Sequence, residues 1–118
     1  MSERSDDILI KDIYESIVRI QRYTYELDAD AFISDEKTQD AIARSFEIIG
    51  EAASRLSPLF KTTFSFVNWR LVKDFRNKLI HDYFGIDLET VWLIVQFHLP
   101  QLRIDVEQII KELESGNE

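Results

Sequence analysis

Apolar residues recur every three or four positions along almost the whole chain, and very few helix breakers interrupt them. Only three glycines and two prolines occur in 118 residues, too few turn formers for an all-β fold. The pattern predicts an all-helical protein. Ile10, Ile13, Ile17, Ile20 and Leu27 mark a first amphipathic helix over 6–27, ended by Asp28-Ala29-Asp30. Ser34 is read as the N-cap of a second helix over 35–56, with Asp35 and Glu36 suiting its positive end. Ile42, Phe46, Ile49, Ala53 and Leu56 form its apolar face, and Gly50, Ala52 and Ala53 make a small-residue patch that another helix can approach closely.

Ser57-Pro58 stops the second helix, because a residue before proline avoids the helical region. Residues 57–67 read as a loop in which Phe60, Phe64 and Phe66 plug the end of a bundle. Asn68 caps a third helix over 69–81, and Gly85 is its natural stop. Asp87 starts a fourth helix lined by Leu88, Val91, Trp92, Val95 and Leu99, kinked or split at Pro100 and resumed by Leu102, Val106, Ile109, Ile110 and Leu113. The tail from Ser115 reads as frayed. The architecture expected is an antiparallel bundle of four main helices in a single domain spanning 1–118, with its core over about 7–113.

Charge and composition narrow the function. With no cysteine there is neither a disulfide nor a thiolate metal site. The polar stretch Met1 to Asp7 is no signal peptide, and no apolar run reaches the roughly 18 residues of a membrane span, so a cytoplasmic protein is expected. The net charge of −8 is the wrong sign for a general nucleic-acid binder. Yet Arg70, Lys73, Arg76 and Lys78 face a single acid, Asp74, giving a local net of +3. These residues are candidates for RNA contact.

The same region holds the best chemistry. The chain has two histidines, and one lies in Arg76-Asn77-Lys78-Leu79-Ile80-His81-Asp82-Tyr83. His81 is a candidate general acid or base. Arg76 can clamp a phosphate with its two-pronged guanidinium and stabilise transition-state charge. Asn77 can add a neutral hydrogen bond, and Tyr83 can position RNA or accept a modifying group. Together they suit RNA cleavage by attack of the 2′-hydroxyl, with no metal or cofactor. No compact cluster of histidine and carboxylate with metal-ligand spacing appears. The bland alternatives are a dipole-stabilised helix-end histidine, a snorkelling arginine and a packing tyrosine. His98 reads as structural and Glu51 as a polar bundle residue.

On an ideal α-helix at about 100° per residue, Arg76 falls inside the apolar arc and about 140° from His81. The pair would then converge only at a helix end, or where two copies of the motif meet across a symmetric dimer.

The pattern is similar to the HepT branch of the HEPN ribonuclease toxins. Arg76 to Tyr83 matches the family's Arg-x4-6-His-x-Tyr signature at its shortest spacing. Ile49-Gly50-Glu51-Ala52-Ala53, Trp69, Phe75-Arg76-Asn77, His81 through Asp87, Val91-Trp92 and Leu99-Pro100-Gln101-Leu102 resemble the branch in order, over about 7–113. The resemblance implies an all-helical homodimer with its cleft between the two motifs. It implies a metal-independent endoribonuclease, the toxin of a type II toxin–antitoxin pair, acting on transfer or messenger RNA. By carry-over Arg76 and His81 are catalytic and Asn77 assists. The implied partner is an MNT-type nucleotidyltransferase antitoxin that transfers AMP to the motif tyrosine, here Tyr83. The alternative is a helical RNA- or nucleotide-binding subunit that has lost catalysis.

Overall fold

Most of the helices begin where a side chain satisfies one of their first backbone N–H groups. The structure is a computed structural model that describes residues 5–84 and 86–116. Helix α1 spans Asp6–Thr24, α2 Ala29–Ile33, α3 Glu36–Arg55, α4 Pro58–Thr63 and α5 Trp69–Asp74. A π-helical segment, Phe75–Tyr83, continues α5 directly. Helix α6, Leu88–Leu93, runs into a second π segment, Ile94–His98, and then into α7, Leu99–Gly116. Among the described residues there is no strand, so the fold is all-helical as expected.

Several boundaries differ from expectation for local reasons. The first helix stops at Thr24, and Asp28, read as a terminator, instead caps the short α2 by accepting from the Ala31 N–H at 2.8 Å. Asp35, not Ser34, caps α3: it accepts from the Thr38 N–H at 3.0 Å and from the Thr38 hydroxyl at 2.7 Å. Residues 57–67 are not simply a loop. Pro58 occupies the first turn of α4, where its missing N–H costs nothing, and Ser57 caps that turn. Phe60 and Phe64 are buried with ring centroids 4.8 Å apart, but Phe66 faces outward at 54% exposure. Asn68 caps α5 as expected. The stop expected at Gly85 lies outside the described residues, and of the tail Ser115 and Gly116 are still helical.

Proline 100 acts upstream of itself. It lacks an N–H and its ring crowds the carbonyl four residues back. The chain widens just before it into the second π segment, where the Leu99 N–H reaches the Ile94 carbonyl five residues away. The interruption therefore covers Ile94–His98 rather than sitting at Pro100.

Two sets of polar contacts fix how α1 lies. The Asp6 carboxylate accepts from the Ser57 N–H at 2.9 Å and the Ser57 hydroxyl at 2.7 Å, tying the start of α1 to the end of α3. Tyr14 donates to Glu107 at 3.1 Å and Arg103 donates to Gln21 at 2.7 Å, so α1 and α7 run antiparallel. The fully buried Ile10, Ile13, Ile17, Ile20, Ile42, Phe46, Ile49, Val106 and Ile109 fill the space between.

Asp87 repeats the Asp35 arrangement at the start of α6, accepting from the Thr90 N–H at 3.1 Å and the Thr90 hydroxyl at 2.7 Å. The Thr hydroxyl and N–H bonds hold both carboxyls below the usual 3.8. A carboxyl with a lowered folded pKa contributes stability that is complete above its ordinary pKa and is lost as pH falls through the lowered one. Melting temperature is therefore expected to fall below about pH 4. In thermal melts between pH 6 and pH 2, Asp35→Asn and Asp87→Asn should each flatten that fall; an unchanged slope in both would contradict the assignment.

Candidate functional site

The motif sits on the wider helix, and that changes its geometry. In the segment Phe75–Tyr83 the chain bonds five residues back rather than four, as the Phe84 N–H to Leu79 carbonyl bond of 3.2 Å shows at its end. Such a helix has about 4.4 residues per turn, and π turns are rare and concentrated at functional sites. Five residues then make little more than one turn. Arg76 and His81 lie about 50° apart instead of about 140°, with Asn77 about 30° beyond His81.

Burial agrees with this winding. Phe75 and Leu79 are buried, and Ile80 and Tyr83 are half-buried against the core. Arg76, Asn77, Lys78 and His81 are exposed. The expectation that Arg76 points into the apolar arc holds for its root, which lies against Gly50 of α3; the residue itself is exposed, and on the π winding it falls on the side of His81 and Asn77. One protomer can present both groups together, so the geometric argument for a dimer no longer applies. Among the described residues no ion pair engages Arg76 or His81.

The other candidates are placed around this arc. Lys78 is exposed about 160° from Arg76, on the far edge of the segment. Arg70 and Lys73 are exposed on α5. Leu71, which an ideal α-helix would place on the apolar arc, is 40% exposed. Tyr83 ends the segment, and its carbonyl accepts from the N–H groups of Ile86 at 3.0 Å and Asp87 at 2.7 Å. Its side chain is half-buried and packs on the core. His98 is exposed in the second π segment. Glu51 pairs with Arg55 at 2.9 Å on α3, as a polar helix-surface residue does. Among the described residues no group of three His, Asp or Glu side chains is arranged to hold a metal ion.

Helix α3 holds the segment from behind. Phe46, fully buried, meets Phe75 edge-on at 5.2 Å and Phe84 at 6.3 Å, so one ring packs against the first residue of the segment and the residue just after its last. One turn further along α3, Gly50 lies directly against the backbone of Arg76. The small-residue patch signals such an approach in the sequence, but not that Arg76 is the residue approached.

A family described as "Ribonuclease HepT-like" matches residues 13–109. A "Putative RNase" of Methanocaldococcus jannaschii is 37% identical over 118 residues, covering 100% of this chain and 98% of its own. A "Probable ribonuclease HepT" of Thermococcus cleftensis is 38% identical over 109 residues, covering 92% and 99%. A "Putative RNase" of Caldanaerobacter subterraneus is 36% identical over 81 residues, covering 69% and 72%. No solved structure matches the chain at a significant level. Family match, near full-length relatives and the all-helical fold agree: this chain belongs to the HepT-like ribonuclease family.

Proposed function

We propose that this protein is a metal-independent endoribonuclease, the toxin of a type II toxin–antitoxin pair, with His81 and Arg76 as its catalytic residues. The observation that carries the reading is the exposed Arg76–His81–Asn77 arc on a π-wound helix, in a chain of a ribonuclease family. His81 takes the proton from a ribose 2′-hydroxyl, and the 2′-oxygen attacks the adjacent phosphorus. The bond to the 5′-oxygen breaks, and that oxygen leaves with a proton returned by the protonated His81 or taken from solvent. The products are a 2′,3′-cyclic phosphate and a 5′-hydroxyl, so no water or metal is consumed. Arg76 faces the phosphate oxygens, where its fork balances the charge that builds at phosphorus. Asn77 adds a neutral donor beside them.

Arg70, Lys73 and Lys78 supply phosphate contacts along the strand, a local exception to the net charge of −8. The protein acts in the cytoplasm as a single-domain four-helix bundle that forms a homodimer. Leu93 at 50%, Phe97 at 71% and Ile104 at 58% exposure give α6, the second π segment and α7 an apolar surface that a second copy can cover. RNA incubated with the purified protein should be cut, and faster at low salt. Binding without cleavage across transfer and messenger RNA would favour the alternative, a non-catalytic partner subunit.

An MNT-type nucleotidyltransferase serves as antitoxin by moving AMP from ATP to the Tyr83 hydroxyl, releasing pyrophosphate. Tyr83 is half-buried at the end of the motif segment, so a bulky anion there would repel RNA and disturb the segment's packing. With that enzyme and ATP, intact-mass spectrometry should show a gain of one AMP per modified tyrosine. Equal modification of Tyr83→Phe would contradict the acceptor assignment.

A further inference from the structure

Gly50 is buried in the middle of α3, where a glycine weakens a helix relative to alanine. Its backbone is ordinary helix, so a special conformation does not explain it. Space does. A Cβ built on Gly50 would stand 2.5 Å from the Arg76 Cβ, 2.6 Å from the Arg76 N and 3.1 Å from the Arg76 Cα. None of these atoms belongs to the flexible end of a side chain. Relief requires α3 and the π segment to move apart at Arg76.

We infer that Gly50 is a positioning residue for Arg76: its missing side chain lets α3 seat the π segment where the Arg76 stem emerges beside His81. Phe46 and Gly50 are four residues apart and share a face of α3. Phe46 packs on Phe75 at the segment's start and on Phe84 just beyond its end, while Gly50 sets the depth of its second residue. A methyl at position 50 pushes Arg76 outward relative to His81, whose place is fixed through the buried Leu79 and half-buried Ile80. Displacement of a catalytic group by about an ångström costs about 10²-fold in rate. The contacts of Arg70, Lys73 and Lys78 with RNA lie outside the seam and stay intact.

The inference rests on the ribonuclease reading, and the test separates the two. Gly50→Ala is expected to lower kcat about 10²-fold with KM for RNA within about threefold, at a temperature where circular dichroism shows it folded. Ile42→Val, a core change two turns earlier on α3, is expected to lower the melting temperature while kcat stays within about threefold. Equal kcat for Gly50→Ala and wild type overturns the inference, as does an equal loss in Ile42→Val. If the wild type cuts no RNA, the ribonuclease reading fails by itself. Positioning is then judged by amide resonances: Gly50→Ala should shift those of Phe75–Tyr83, and unchanged resonances overturn it. Should Gly50→Ala not fold, the wild type decides through a nuclear Overhauser contact between the Gly50 α-protons and the Arg76 amide. That contact is expected, and its absence overturns the inference.

Discussion

Replacing His81 with alanine is expected to lower the rate of RNA cleavage by about 10²- to 10⁴-fold, the contribution of a positioned general acid or base. His81 is exposed on the π segment, and among the described residues it makes no ion pair. Its removal should therefore leave both the melting temperature and RNA affinity close to wild type. His98→Ala is the control. It removes the chain's other histidine, also exposed and also on a π segment, at no expected cost in rate. Single-turnover cleavage beside a filter-binding measurement checks both variants. A loss in His81→Ala that tracks weakened binding would make the residue a contact rather than a catalyst.

Arg76→Ala is expected to lower kcat by about 10²- to 10³-fold, the usual cost of removing a donor aimed at developing negative charge. Arg76→Lys should recover only a small part of this. Lysine keeps the charge but loses the planar fork that meets two phosphate oxygens at once. Lys78 stands on the far edge of the same segment, so Lys78→Ala should weaken binding and flatten the salt dependence while sparing kcat. Steady-state kinetics at several salt concentrations distinguishes these outcomes. Full activity in Arg76→Lys would mean that charge alone suffices and that the two-pronged contact is absent.

The long helices were legible because α1, α3 and α7 each offer several turns of apolar periodicity. Helices α2 and α4 were not, because five and six residues hold too few repeats to separate a helix from a loop. The N-cap of α3 lies one residue beyond Ser34: Ser34 and Asp35 are both good caps, and Thr38 decides between them by bonding twice to Asp35. The motif residues were legible by type and spacing, but their geometry was not. Phe75, Leu79 and Tyr83 repeat every four residues, and four lies about equally far from an α period of 3.6 and a π period of about 4.4. Pairs five apart, such as Arg76 and His81, separate the two windings. What selects between them is tertiary: the Phe46 ring between Phe75 and Phe84, and the close seat at Gly50. The same correction removes the need for two protomers to bring arginine and histidine together.

The most direct measurement is analysis of product ends after incubating the purified protein with RNA in excess EDTA. The account predicts 2′,3′-cyclic phosphate and 5′-hydroxyl ends, formed at the same rate with and without the chelator, lost in His81→Ala and retained in His98→Ala. Cleavage that stops in EDTA, or that proceeds equally in wild type and His81→Ala, would contradict it.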